Sequence, residues 1–288
     1  MTLLLTIASR AQPNGASKYE TSPIEVIKSE AQRGVAAAQV ALAERYRAGQ
    51  GIAKDNGAAL KWLRLAAAQS EASAEYKLGL MAEAGDGQAA NLAEALKWYT
   101  LSAKHGYPDA QFILGAMYYK GHGVSADDRE AARWFRMAAD GGHNWAQFSL
   151  ATMFEDGRGV EKSSVQAVKF YRKAAEAGLD AAESMLGQLY YLGRGVPQDY
   201  LEAARWYGRA ADKGHSGSQA VLGAMYSRGQ GVPQDVIRAY VLLSSAASTA
   251  EEAADKASYA ASRDQVAAGM SAVQLSEARR LLAQKVRK

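Results

Sequence analysis

The chain has 288 residues, of which 48% are hydrophobic and 22% are charged, and its formal net charge at pH 7 is +4. This supply of apolar side chains argues against global disorder, and so small a charge gives no case for nucleic-acid binding. The absence of cysteine excludes disulfides, thiolate metal ligands and a cysteine nucleophile.

Residues 1–19 allow two interpretations. Residues 3–8 are apolar, and Ser9 and Ala11 place small side chains where a signal peptidase would need them. The apolar run is shorter than a usual signal core, however, and no basic residue precedes it. The segment is therefore either a truncated export signal or a flexible tail, and an exported or periplasmic location and a cytoplasmic one are equally open. Elsewhere nothing approaches the roughly 20 apolar residues of a membrane span, so we expect no integral membrane segment.

Paired glycines recur every 36 residues through the middle of the chain. The first glycines are Gly49, Gly85, Gly121, Gly157, Gly193 and Gly229, and the second follows two positions after each. A repeated unit of about 20 to 50 residues is typical of a solenoid, in which each unit buries its apolar face against the next. The sequence therefore predicts an all-α solenoid of six helix–turn–helix repeats over residues 38–253.

The second helix of each repeat is predicted to begin six residues after the first glycine. The N-cap residues there have side-chain oxygens for the orphan backbone amides: Asp55, Asn91, Asp127, Ser163, Asp199 and Asp235. In four repeats a Glu or Gln three residues further on predicts a reciprocal capping box: Glu94, Glu130, Gln166 and Glu202. A column of alanines follows, and then aromatic pairs such as Trp134-Phe135, which we expect to fill the space between helices.

The first helix of each repeat opens at Ala38 or its equivalent and carries a leucine four residues later. The position after that leucine is small, and in four repeats it is glycine: Gly79, Gly115, Gly187 and Gly223. A glycine inside a helix costs roughly 1 kcal/mol relative to alanine. Its recurrence therefore predicts that a neighbouring backbone crosses the helix there.

Two further segments flank the repeats. Residues 20–37 match the end of a second helix, because Ile27 and Gly34 fall in the matching columns, so they predict an N-terminal half-repeat. Residues 254–288 have lost the period and predict a C-terminal helical cap, whose last helix opens with a capping box at Ser271–Gln274.

The repeated pattern A-x3-L-G-x2-Y-x2-G-x-G-V-x3-D-x3-A-x2-W-Y-x2-A-A-x2-G is clearest over residues 182–214. It resembles the Sel1-like repeat, a relative of the tetratricopeptide repeat, and the tail over residues 263–282 is similar to the usual ending of bacterial members. The resemblance implies a right-handed α-solenoid that serves as an adaptor in complexes and signalling.

No set of residues points to catalysis. The G-x-G turns follow helices and lack the third glycine of a dinucleotide fingerprint, and the S-x-x-K nucleophile motif is absent. The histidines lie in turns without metal-ligand spacing, so we expect them to be solvated: His105, His122, His143 and His215. We therefore expect no enzyme activity, no cofactor and no metal site.

A column of basic residues lies on the second helices: Lys61, Lys97, Arg133, Lys169 and Arg205. Such a column could bind a row of anions. Lys97, Arg133 and Arg205, however, each follow a glutamate by three positions, and such pairs favour a solvated, charge-balanced face.

The first helices also carry positions that vary between repeats and include several aromatic residues. Positions at i, i+4 and i+7 share one side of a helix, and we call this side the first-helix face. Because the structural columns are uniform, the varied face is one candidate for a partner-binding groove, and packing between adjacent first helices is the equal alternative. The candidate residues are Tyr76, Leu80, Phe112, Tyr119, Phe148, Gln188 and Tyr191, with Trp145 in a neighbouring turn.

The sequence thus predicts a non-catalytic scaffold or adaptor that binds a protein or peptide partner in the groove of its first helices. The alternative hypothesis is a protein that binds or processes peptidoglycan or another polysaccharide, with aromatic side chains stacking on sugar rings. The partner's identity and the oligomeric state are left open.

Overall fold

The structure is a computed structural model and describes residues 18–286 of the chain. Fifteen α-helices and no strand lie within this range: α1 (Ile24–Gln32), α2 (Ala36–Ala48), α3 (Asn56–Ala67), α4 (Ala72–Ala84), α5 (Leu92–Lys104), α6 (Pro108–Lys120), α7 (Asp128–Asp140), α8 (Asn144–Asp156), α9 (Ser164–Glu176), α10 (Asp180–Leu192), α11 (Tyr200–Asp212), α12 (Ser216–Arg228), α13 (Val236–Thr249), α14 (Ala253–Ala268) and α15 (Ala272–Val286). The pairs from α2–α3 to α12–α13 are the first and second helices of the six repeats, which confirms the predicted all-α class. The export-signal and tail interpretations concern residues 1–17, which lie outside the described range.

The six predicted N-cap residues begin the second helices. Each accepts a hydrogen bond from a backbone amide of the first turn. The predicted capping boxes within the repeats are wrong, because the N-cap amide donates instead to a carbonyl of the first helix, as Asp127 N does to Tyr118 O at 2.9 Å. A reciprocal capping box does form at the last helix, where Ser271 N donates to Gln274 Oε1 at 2.9 Å and Gln274 N to Ser271 Oγ at 3.3 Å.

The paired glycines end a helix and allow consecutive repeats to approach closely. Gly193 terminates α10 with φ of 68°, in the left-handed region that favours glycine. Gly195 lies against the second helix of the preceding repeat, and a Cβ on it would be 2.4 Å from Ser164 O. The second glycine is therefore required by a backbone contact as well as by its own conformation.

Three of the four glycines inside the first helices lie under aromatic rings, and the fourth, Gly223, lies under Leu243. A Cβ on Gly115 would be 2.6 Å from the nearest ring carbon of Phe135, which belongs to the second helix of the same repeat. The prediction of a backbone crossing is therefore wrong for Gly79, Gly115 and Gly187, because the group that approaches each of them is a side chain. Beside Gly223 the backbone does come close, since an added Cβ would be 3.2 Å from Ala239 O as well as 2.9 Å from Leu243 Cγ. In the first repeat the same two positions hold Ala43 and Leu63, and both are buried.

Two compact units divide the chain, and each has an apolar core of its own. Of the described residues, the first unit contains 18–146 together with 158–160, and the second contains 147–157 and 161–286. Within each unit the described helices pack mainly against the helices before and after them in the chain. This neighbour-to-neighbour packing is that of a repeat array.

Helices outside the six repeats pack on the first and last of them. At the start of the first unit α1 packs against α2 and buries Ile27 and Ala31. At the end of the second unit α14 and α15 both pack against α13. These contacts agree with a half-repeat and a helical cap, while the exact domain boundaries stay predictions. No helix between residues 18 and 286 has the length and apolar content needed to cross a membrane.

Candidate functional site

A column of buried glutamine and glutamate runs through the first helices, and the sequence analysis did not identify it. Its members are 36 residues apart: Gln39, Glu75, Gln111, Gln147, Glu183 and Gln219. Gln111 Nε2 donates to Ala103 O at 3.1 Å, and Gln219 Nε2 donates to Ala211 O at 3.0 Å. Each bond joins a first helix to the second helix of the preceding repeat. This column could have been found from the sequence, because a polar residue recurs every 36 residues between two columns of core residues.

Where the column holds glutamate instead of glutamine, basic side chains lie beside the carboxylate. Glu183 Oε1 lies 2.9 Å from Arg209 Nε and 2.8 Å from Lys213 Nζ. Arg209 Nη2 also donates to Ala175 O at 3.1 Å, and this carbonyl is equivalent to those that Gln111 and Gln219 bond. The cluster holds three helices together and is occupied within the chain, so it is structural.

Three histidines have defined structural roles. The prediction of solvated turn residues is wrong for His143, whose side chain is 13% exposed, whereas His105 is an exposed turn residue. His105 Nδ1 lies 2.8 Å from a carboxylate oxygen of the buried Glu75. His143 Nδ1 accepts a hydrogen bond from Ala146 N at 3.1 Å, and His215 caps α12 in the same way. In the described residues no group of three or more His, Cys, Asp or Glu side chains is arranged to hold a metal ion.

Two of the predicted partner-binding residues are buried. Tyr76 is 5% exposed and Phe112 is 7% exposed. Their rings lie 6.0 Å from Tyr99 and 5.6 Å from Phe135, measured between centroids. These two rings pack against second helices of the same repeats within the first unit, and little of either side chain is left for a partner.

Tyr119 and Leu80 are half-buried in the same unit. The Arg158 guanidinium carbon lies 4.1 Å from the Tyr119 ring centroid, and Nη1 donates to Tyr119 Oη at 2.6 Å. Arg158 also binds both carboxylate oxygens of Asp128, at 2.7 and 3.1 Å. One face of the Tyr119 ring is thus covered by a cation of the protein itself.

Phe148 and Trp145 both lie on α8 and are half-buried, so the prediction that Trp145 lies in a turn is wrong. The Phe148 ring packs edge-on against Tyr171 of α9, with 5.3 Å between centroids. Part of each side chain is therefore open to solvent and part is used in packing.

Gln188 and Tyr191 lie together at a cavity of about 320 Å³ in the second unit. The cavity is formed by the first helices α10 and α12 with Tyr207 of α11. Ala224 of α12 is the equivalent of Gln188, 36 residues later, but the sequence analysis named neither Val221 nor Arg228. Both could have been found, because they lie three residues before and four residues after Ala224 and so share its side of the helix.

The mouth of the cavity carries one charged side chain, Arg228, which is exposed. Tyr191 Oη donates to Gln230 Oε1 at 3.3 Å, and the Tyr191 ring packs edge-on against Tyr200 at 5.1 Å. Burial raises the pKa of Tyr207 to about 12, so its hydroxyl is neutral. The site is therefore apolar inside and bears a positive charge at its edge.

The basic column of the second helices is fully exposed. Arg133 lies 3.3 Å from Glu130, and Arg205 pairs with Glu202. These i, i+3 pairs agree with a charge-balanced face, and exposed pairs of this kind contribute little to stability.

The chain is similar to known repeat proteins in sequence and in structure. The Sel1 repeat family profile matches residues 36–71, 72–107, 108–143, 146–179, 180–215 and 216–248. Comparison with functionally curated proteins gives no match.

Two solved structures are similar over most of the chain. One is a protective antigen of uropathogenic Escherichia coli strains with an SLR fold, which is 35% identical with a TM-score of 0.79 and is matched by 92% of this chain over 56% of its own length. The other is a Sel1 repeat protein from Oxalobacter formigenes, 30% identical with a TM-score of 0.63, over 77% of this chain and 94% of that one. The chain thus spans little more than half the length of the E. coli antigen.

Proposed function

Because the chain belongs to the Sel1 repeat family, whose members are generally non-enzymatic protein-interaction scaffolds, we propose that it binds a protein or peptide partner on its first-helix face. The observation that supports this most is the apolar cavity beside Gln188 and Tyr191, which lies between first helices of consecutive repeats. Concave apolar sites with a few polar groups at the edge are where proteins usually bind ligands.

Among the predicted residues, Gln188 is the most accessible and Tyr191 lies next to it. Leu80, Tyr119, Phe148 and Trp145 are proposed as secondary contacts, since each is half-buried. Aromatic side chains at the centre of an interface often account for much of the binding energy. We therefore propose α10 and α12 as the main contact surface for the partner.

Site-specific photo-crosslinking in the source organism tests this proposal. A benzophenone amino acid replaces Gln188 in one variant and Lys169, an exposed residue of α9, in a matched control. We expect a protein to be crosslinked through position 188 and not through position 169, and mass spectrometry then identifies it. Equal crosslinking at both positions, or none at 188 under several growth conditions, would count against a partner on this face.

The polysaccharide alternative finds no support in the comparisons. A binding assay with immobilised peptidoglycan gives it a direct test. Binding to peptidoglycan that Val221→Asp abolishes, without any crosslinked protein, would replace the present proposal.

A further inference from the structure

The interior of the cavity is apolar and fits one large side chain. Val221 and Ala224 of α12 line it together with Tyr207 and Met225, which are 5% and 1% exposed. Its volume of about 320 Å³ is near the lower end of the roughly 300–1,000 Å³ of ligand pockets. An aliphatic or aromatic side chain placed there would leave water for apolar surroundings, which is worth about 25 cal/mol per Å² of buried surface.

The positive charge at the mouth of the cavity favours an occupant that carries a negative charge. Arg228 is the last residue of α12, and no carboxylate lines the cavity with it. Within residues 18–286 Arg228 forms no ion pair, whereas Arg194 and Arg209 of the same unit each bind a glutamate. Gln230, which also lines the cavity, accepts a hydrogen bond from Tyr191 through Oε1, and its amide nitrogen is a second donor group of the lining. The mouth therefore offers donors to an anion.

Building on the proposed function, we propose that the occupant is a partner peptide segment that inserts one large apolar side chain into this cavity and pairs a nearby carboxylate with Arg228. A guanidinium binds a carboxylate through two parallel hydrogen bonds, which fixes direction as well as charge. An extended segment rises about 3.3 Å per residue. An Asp or Glu one or two residues from the inserted side chain stays within reach of Arg228.

Phage display with a random 12-residue peptide library on the full chain tests this inference. Enriched peptides are synthesised with a fluorescein label and titrated by fluorescence anisotropy. We expect an aromatic or aliphatic residue with Asp or Glu within two positions of it. Arg228→Glu should weaken binding about 10-fold or more, because one lost charge-assisted contact is worth at least about 1.4 kcal/mol. Replacement of the peptide's acidic residue by lysine should restore binding to this variant.

Two variants test the cavity itself. Ala224→Trp fills it and should abolish binding. Leu192→Glu places a negative charge on a lining residue that is already 48% exposed, so the fold should tolerate it even if Ala224→Trp does not fold. Leu201→Glu is the matched control, because Leu201 is 49% exposed in the same unit and does not line the cavity.

The outcomes separate this inference from the proposed function. Peptides without an acidic residue, or peptides that bind Arg228→Glu unchanged, overturn the assignment of Arg228. Peptides that bind Leu192→Glu as well as Leu201→Glu overturn the cavity as the site but leave a protein-binding scaffold. No enriched peptide, together with a protein crosslinked at position 188, overturns this inference alone. Failure of both experiments overturns the proposed function as well.

Discussion

Glu183 is a fully buried carboxylate within a helix, between two cations whose side chains are only partly buried. Removal of a carboxylate from water is costly, and a neighbouring cation offsets this cost only if it stays in place. Four of the six repeats carry glutamine at this position, and an amide needs no cation. A glutamate at this position of the first helix therefore needs basic partners from the second helix, whereas a glutamine does not.

This dependence leads to a stability prediction for Glu183. Replacement of Arg209 and Lys213 together by alanine leaves the buried carboxylate without a cation, and we expect a loss of about 3–5 kcal/mol in the free energy of unfolding. Glu183→Gln alone should cost little, because its amide can donate to Ala175 O as Gln111 does to Ala103 O. Urea denaturation followed by circular dichroism measures both.

The triple variant provides the control. With glutamine at position 183, the two alanine substitutions should cost much less than they do with glutamate. Equal costs in the two backgrounds would show that Arg209 and Lys213 stabilise the fold by packing alone.

His143 predicts a dependence of stability on pH. Its side chain is 13% exposed, and burial lowers its pKa from 6.5 to about 4. The cap contact requires an unprotonated Nδ1, which agrees with this direction, whereas the Asp109 carboxylate 3.4 Å from Nε2 opposes it. Between pH 4 and 6.5 the unfolded chain binds more protons here than the folded chain. The contribution is therefore complete above pH 6.5 and is lost as the pH falls to 4, by up to about 3 kcal/mol.

Denaturation at pH 7.5 and pH 5 measures this effect against His143→Asn. Asparagine can cap the same helix and does not titrate, so the variant should lose less stability than the parent between the two pH values. Parallel losses in parent and variant would assign the pH dependence to other groups.

A helix pair is held by the fit of a small residue under a large one. Gly115 and Phe135 make this contact in the third repeat, whereas the first repeat uses Ala43 and Leu63. Gly115→Ala places a new Cβ against the Phe135 ring, and this overpacking should lower the free energy of unfolding by about 1–3 kcal/mol. The better helix propensity of alanine offsets about 1 kcal/mol of that loss. Thermal and urea melts give the net change.

The double variant Gly115→Ala with Phe135→Leu recreates the pair of the first repeat. We expect it to be more stable than the sum of the two single changes predicts, since leucine makes room for the methyl group. Additive effects would mean that the glycine is needed for a reason other than the ring.

Coupling across the whole molecule should be short-ranged. Each described helix packs mainly against its chain neighbours, so the stability of a repeat depends on its own residues and on adjacent repeats. Gly187→Val overpacks α10 against Tyr207 and should speed amide hydrogen exchange in α10, α11 and α12. Exchange in α2 to α5 should stay as in the parent. A uniform increase along the chain would show that the array opens in a single cooperative step.

Contacts between residues close together in the chain were predicted correctly, and contacts between distant residues were not. The N-caps such as Asp127 were predicted correctly because a cap bonds amides two or three residues away. The capping boxes failed because the competing carbonyl of Tyr118 is nine residues earlier, in another helix. Within the basic column the pairing of Glu130 with Arg133 was predicted, since the two residues lie within one helical turn of each other.

The sequence by itself determined the repeat period, the caps that begin the second helices and the all-α class, because each depends on residues within about one helical turn and on regular burial. The first helices begin two residues before the predicted Ala38 and its equivalents. The tertiary structure decided the burial of Tyr76 and Phe112 and brought Tyr191 to Gln230 across 39 residues of chain. Exposure of a first-helix side chain depends on which residues the adjacent helices place against it. Those contacts are set by the packing of one helix on another, and that packing became visible only in three dimensions.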